Sequence, residues 1–231
     1  MSKRPALRPG KRPAPPPAKK NWWMVIVIGI LVIGAAAGIA IWSTRGSDSV
    51  SEGSVGTDNV STSAETQPVT ATGESLAQQS ESGEDHSVDG KTPPTLQGFT
   101  FDGSPIEITP GGRAKMVVFL AHWCPHCNRE IPRLLAWKES GGIPADLDII
   151  GVSTAATADR DNYPPSRWIQ TIGWAWPVMA DSSAQQAALA YGLGGYPTFV
   201  IVGSDGKVKV RYSGEIEVTD LAAMVATALA A

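Results

Sequence analysis

Cys124 and Cys127 are the only cysteines in 231 residues, and both stand in one Cys-Pro-His-Cys tetrapeptide. A structural disulfide stabilises by closing a long loop, and this one would close almost none. A structural zinc site needs further ligands at metal spacing, and no second Cys-x-x-Cys is present. What remains is a dithiol that opens and closes, a chemistry that requires no cofactor and no metal.

The roles follow from position. An apolar run, Met116–Ala121, leads into the tetrapeptide, and Pro125–Lys138 reads as a helix with Ile131, Leu134 and Leu135 at helical spacing. Cys124 then stands at a helix N-terminus, where backbone N–H groups and the helix dipole favour an anion and lower its pKa. It is the expected nucleophile, exposed for attack. Cys127 lies one turn in and deeper, a thiol that resolves the mixed disulfide. Pro125 brings no N–H to the turn, and His126 sets a donor or positive charge beside Cys124. Glu130, three residues beyond Cys127, is placed to exchange a proton with it; the competing reading is an exposed helix glutamate paired with Arg129 or Arg133. His122 with the two cysteines offers three ligands for copper, without a fourth.

The chain divides into four parts. Residues 1–21 hold seven Lys or Arg, six prolines and no acid, an extended arm. Residues 22–42 are 21 uncharged, mostly apolar residues, about 30 Å as a helix, flanked by Trp22, Trp23 and Trp42 at headgroup level. The seven preceding charges predict a single-pass anchor with a cytoplasmic N-terminus and an extracytoplasmic remainder. A signal peptide cleaved near Ala35-Ala36-Ala37 is the other reading, although cleavage there would cut the apolar run. Residues 43–94 carry 18 Ser or Thr, 6 Gly, nine acids and no aromatic, which reads as a disordered tether. Residues 95–231 form one domain whose ten basic residues against thirteen acidic ones argue against a nucleic-acid partner.

Within that domain the elements alternate. Strands are expected at Leu96–Thr100, Ile106–Ile108, Lys115–Ala121, Leu147–Ser153, Trp176–Ala180, Thr198–Val202 and Lys207–Tyr212. Helices are expected at Pro125–Lys138, Ser166–Ile172, Ser182–Tyr191 and Asp220–Ala230, the last capped by Thr219. The pattern predicts an α/β fold, a central mixed sheet with helices on both faces.

Element order, Trp123-Cys124-Pro125-His126-Cys127 and the later Gly195-Tyr196-Pro197-Thr198-Phe199 together resemble the thioredoxin fold over nearly all of residues 95–231. The spacing from Cys127 to Pro197, and Asn128-Arg129-Glu130-Ile131-Pro132, are similar to the membrane-tethered TlpA/ResA-like thioredoxins, whereas Cys-Pro-His-Cys itself is the DsbA-type sequence. The resemblance implies a cis peptide at Tyr196–Pro197 beside the dithiol, with the Tyr196 backbone offered to a substrate strand, and a Trp123 that shields the site. Plain thioredoxin keeps an acid in the strand before the motif; the matching position here is Val118, which leaves Glu130 as the acid.

The sequence thus predicts a thiol–disulfide oxidoreductase acting on exported thiol or disulfide proteins, in exchange with a membrane redox partner and with an oxidising couple. Two alternatives stay open: a reductant in cytochrome c maturation, as the TlpA/ResA-like scaffold implies, and a copper-binding module using His122, Cys124 and Cys127.

Overall fold

Strand β5 (Ala114–Leu120) is buried at every position, because side chains of alternate parity meet two different cores. Met116, Val118 and Leu120 face a core that includes Cys127, Ile131, Leu134, Leu221 and Val225. Val117 and Phe119 face a second core with Leu96, Met179, Tyr191 and Val200. The computed structural model describes residues 65–231. The expected arm at 1–21, the anchor at 22–42 and the tether up to residue 64 lie outside the described residues. Among the described residues no helix is long and apolar enough to cross a membrane.

The elements in order are β1 (Thr70–Thr72), β2 (Gly83–Asp85), β3 (Thr95–Phe99), β4 (Pro105–Ile108), β5, α1 (Pro125–Glu139), β6 (Leu147–Ser153), α2 (Pro165–Thr171), β7 (Val178–Ala180), α3 (Gln186–Ala190), β8 (Thr198–Val202), β9 (Val208–Ser213) and α4 (Val218–Ala230). The sheet runs β1-β3-β7-β6-β5-β8-β9-β2, with β4 on β3. Strands β5, β6 and β7 are parallel, β8 is antiparallel to β5, and β9 is antiparallel to β8. Helices α1, α2 and α4 contribute to the first core and α3 to the second. This is the expected thioredoxin-like α/β fold with a mixed sheet and helices.

Residues 65–94 depart from the expected tether and belong to the fold. Strand β1 pairs with β3, and β2 pairs with β9. Val69, Leu76 and Val88 are buried in the second core. Composition hid them because three isolated apolar residues among Ser, Thr and acids carry no periodicity. Arg211 anchors the segment: its guanidinium is fully buried, bonds the Tyr191 and Gly192 carbonyls at 2.7 and 2.9 Å, and pairs with Asp85 at 2.5 Å. Gly192 lies where a Cβ would stand 2.3 Å from the Ala77 carbonyl oxygen, so the segment's backbone passes where only glycine leaves room.

Two helix starts also differ from expectation. Helix α3 is only five residues long, because Gln185 before it takes a left-handed φ of 56°. Its first amides bond the Ser182 hydroxyl and the Asp181 carboxylate. Helix α4 begins at Val218 from Glu217, without a side-chain cap, so Thr219 lies inside it.

Burial alone would raise the Asp85 pKa, but bonds from Ser87 and Arg211 outweigh it and hold the carboxyl below its ordinary 3.8. A depressed carboxyl stabilises the fold above the unfolded pKa, and that contribution is lost as pH falls through the folded one. Asp85→Ala leaves a buried cation unpaired and is expected to cost about 3–5 kcal/mol at neutral pH. Urea unfolding measures this; a loss under about 1 kcal/mol would show that the pair does not hold the segment.

Candidate active site

Helix α1 begins where β5 ends, and the dithiol occupies that junction. Cys124 is the N-cap residue, in extended backbone conformation, and Pro125 follows at the first helical position, where a missing N–H costs nothing. Cys127 lies one turn on and is fully buried; Cys124 is 4% exposed, just beneath the surface rather than open to solvent as expected. Both are free thiols. The Cys127 S–H is directed to Cys124, and the backbone N–H groups of Cys127 and His126 point the same way. These donors, with the His126 charge, overcome the opposing effect of burial and lower the Cys124 pKa from 9.0 to about 6. Burial first, then the neighbouring Cys124, pushes the Cys127 thiol well up.

Tyr196–Pro197 is cis, as the resemblance implies, and Cys124 Sγ lies 3.4 Å from the Tyr196 carbonyl oxygen. The Trp123 ring packs edge-on to Tyr196, donates its Nε1–H to the Ala155 carbonyl at 2.9 Å, and carries the Arg160 guanidinium 5.1 Å from its centroid. Trp123, Tyr196 and Pro197 thus stand around the dithiol.

Glu130 is buried, not an exposed helix glutamate. Its Oε2 accepts from the Ile216 amide at 3.2 Å and from Arg133 at 3.3 Å, while Oε1 has no partner. Burial raises its pKa, only partly offset by those two donors. Its charge is among the influences that raise the Cys127 pKa. A carboxyl with one unfilled oxygen beside a buried thiol can hold or return a proton.

His126 lies at the surface, its Nδ1 2.5 Å from Glu215 Oε1. Arg129 Nη2 reaches the same oxygen at 2.6 Å, and Arg133 Nη1 reaches Oε2 at 3.3 Å. Bonds from Arg129, then His126, hold the Glu215 carboxyl down at about 2. Glu215 escaped sequence reading because it lies 89 positions from His126 with no motif around it.

His122 is not placed as a metal ligand. Its Nδ1 bonds the Asp161 carbonyl at 2.7 Å and its Nε2 accepts the Thr157 N–H at 3.2 Å, so neither nitrogen has a lone pair to give. This overturns the copper-binding expectation. The ring instead pins the loop between β6 and α2. Asn128 completes that support: its amide donates to the Cys124 and His122 carbonyls and its oxygen accepts from Trp168.

The sequence model of the AhpC/TSA family matches residues 93–211, more than half of the chain. The chain belongs to the AhpC/TSA family. This AhpC/TSA-family chain is 28% identical over 131 residues to the thiol-disulfide oxidoreductase ResA of Bacillus anthracis, covering 54% of the chain and 70% of that protein. It is 26% identical over 105 residues to the thiol:disulfide interchange protein HelX of Rhodobacter capsulatus, covering 46% and 54%. Among solved structures, a putative thiol:disulfide interchange protein DsbE from Chlorobium tepidum aligns with TM-score 0.50 at 19% identity, over 61% of this chain and 96% of that one. A DsbF homologue from Corynebacterium diphtheriae aligns with TM-score 0.53 at 14% identity, over 68% and 99%. The two structures share the fold. With a Cys-x-x-Cys at the start of α1 and these relatives, the AhpC/TSA-family chain is a thiol–disulfide oxidoreductase.

Alkylation of the reduced protein at Cys124 should rise with pH through a midpoint near 6, while Cys127 stays unreactive. The same shift stabilises the folded dithiol form against unfolding increasingly as pH rises from about 6 towards 9, a contribution that the disulfide form lacks and that is absent below about 6. An alkylation midpoint above about 8, the range of a free thiol, would contradict the donor arrangement at α1.

Proposed function

We propose that the domain exchanges disulfides with exported proteins outside the cytoplasmic membrane, held there by an anchor at residues 22–42, and that its couple is more oxidising than that of thioredoxin. The lowered Cys124 pKa carries this reading. A couple becomes more oxidising as its reduced form is stabilised, and a thiolate formed at low pH is a stabilised reduced form. Thioredoxin combines a nucleophile pKa near 7 with about −270 mV. One further unit at about 30 mV per unit predicts roughly −240 mV for Cys124–Cys127, between thioredoxin and protein disulfide isomerase.

In the oxidising direction, a substrate thiolate attacks the Cys124 sulfur of the Cys124–Cys127 disulfide, and Cys127 leaves as a thiolate. Glu130 then gives Cys127 its proton. A second substrate thiolate then attacks the substrate sulfur of the mixed disulfide and Cys124 leaves, its anion held by the α1 donors. The substrate gains a disulfide, the enzyme becomes a dithiol, and a membrane redox partner must take two electrons and two protons to reset it. Trp123, Tyr196 and Pro197 are the proposed substrate-facing surface. No nucleic acid, metal or organic cofactor enters this cycle.

A second reading, a reductant for exported thiols such as apocytochrome c, is favoured by Glu130. A buried carboxylate next to Cys127 can take the proton from the thiol as it attacks, the step a reductant must make fast. Glutathione titration of the protein decides between them. A potential between about −240 and −200 mV that falls in His126→Ala is expected; one at or below about −270 mV and unmoved by His126→Ala overturns the oxidant reading and leaves the reductant one.

In cells, Cys127→Ser should accumulate mixed disulfides through Cys124, and the trapped proteins should be exported ones. Equal trapping by Cys124→Ser would contradict the assignment of the two roles. Adducts drawn from cytoplasmic proteins would overturn the topology.

A further inference from the structure

His126, Arg129 and Arg133 lie on one face of α1, spaced three and four residues apart, and all three turn onto one carboxylate. Glu215 Oε1 takes His126 Nδ1 at 2.5 Å and Arg129 Nη2 at 2.6 Å. Arg129 Nε lies 3.1 and 3.2 Å from the two Glu215 oxygens, and Arg133 Nη1 3.3 Å from Oε2. The backbone that carries this carboxylate is held apart from these pairs. The Tyr212 hydroxyl donates to the Glu215 carbonyl at 3.1 Å, and the next amide, Ile216 N–H, is bound to buried Glu130.

The consequence concerns charge at the sulfur. Cys124 is anionic only in the dithiol form, so any group that weakens the positive potential at its Sγ destabilises the reduced enzyme and lowers the oxidising power. His126 neighbours the nucleophile in the tetrapeptide, yet its ring is bonded to a carboxylate. Arg129, whose charge also interacts with Cys124, is held by the same oxygen. The ionisable groups that interact with Cys124 are Cys127, His126 and Arg129 from α1 and Tyr196 from the turn before β8. Glu215, after β9, is the carboxylate that meets His126 and Arg129.

We propose that Glu215 is a positioning residue that sets the potential of the Cys124–Cys127 couple: by gathering His126, Arg129 and Arg133 into one ion cluster, it makes the couple less oxidising than the Pro125-His126 pair would alone. This rests on the dithiol-exchange reading. It does not depend on the direction of exchange in the cell, because it concerns a difference between variants.

Glu215→Gln removes the charge and keeps an acceptor oxygen. Thiolate absorbance of the reduced protein across pH should show the Cys124 midpoint falling by about half to one unit. The equilibrium constant with glutathione should move about 3- to 10-fold towards the reduced enzyme, about 15–30 mV for a two-electron couple. His126 and Arg129 are exposed at their outer ends, so this difference should shrink between 0.1 M and 1 M salt. In a His126→Ala background, Glu215→Gln should have less than half its effect. No change beyond about twofold, or a shift towards the oxidised enzyme, overturns the proposal. So does a lower urea midpoint with an unchanged equilibrium constant, which is a structural role only. If Glu215→Gln does not fold, Arg129→Gln at the surface should raise the Cys124 midpoint, and its failure to do so overturns the proposal. The wild-type potential tests the oxidant reading; the variant-minus-wild-type difference tests Glu215.

Discussion

A sulfur anion in an almost dry place needs donors, and the active end of this molecule is arranged around that need. Burial of Cys124 works against the thiolate, as it does for any charge taken from water. What overcomes burial is geometric: the first turn of α1 presents the His126 and Cys127 amides without helical partners, and the Cys127 S–H lies one turn inside. The arrangement requires that α1 start at the cysteine and nowhere else. Strand β5, packed between two cores, sets that place, and Pro125 marks the first helical position.

Two carboxylates stand near the dithiol in opposite conditions. Glu130 is buried with one oxygen unpaired, and its pKa is raised. Glu215 is partly exposed among two arginines and a histidine, and its pKa falls to about 2. Environments that drive like groups apart are how one site holds both a proton carrier and a fixed charge. Residues 215 and 216 join them: one provides the exposed carboxylate, the other the amide that bonds the buried one. The loop between β9 and α4 therefore meets α1 through both carboxylates.

The same junction accommodates residues that look chemical and are structural. His122 uses both ring nitrogens to hold the loop after β6, and Trp123 bonds the Ala155 carbonyl of that loop. Asn128 ties α1 to α2 through Trp168. Each removes freedom from a segment that borders the cysteines, and none has a group left for a metal or for proton transfer.

Local spacing carried much of this protein. The seven apolar residues of β5, the helical period of α1, the Asp102-Gly103 and Asp205-Gly206 turns and the cysteine pair all express short-range rules, and their elements lie within a residue or two of expectation. The expectation of Cys124 as nucleophile and Cys127 as resolving cysteine follows from helix geometry alone, since positions one turn apart share a face. Contacts between distant residues are different. Asp85 meets Arg211 across 126 positions, Glu215 meets His126 across 89, and His122 meets Asp161 across 39. A polar residue in a Ser- and Thr-rich stretch, or a glutamate in a loop, has no neighbour pattern that names its partner. Only the pairing of β2 with β9, and the return of the chain from β9 towards α1, brings those charges together. Short-range sterics and periodicity could thus be read residue by residue, whereas charge balance at the sulfur is a sum over space that exists only once the chain has folded.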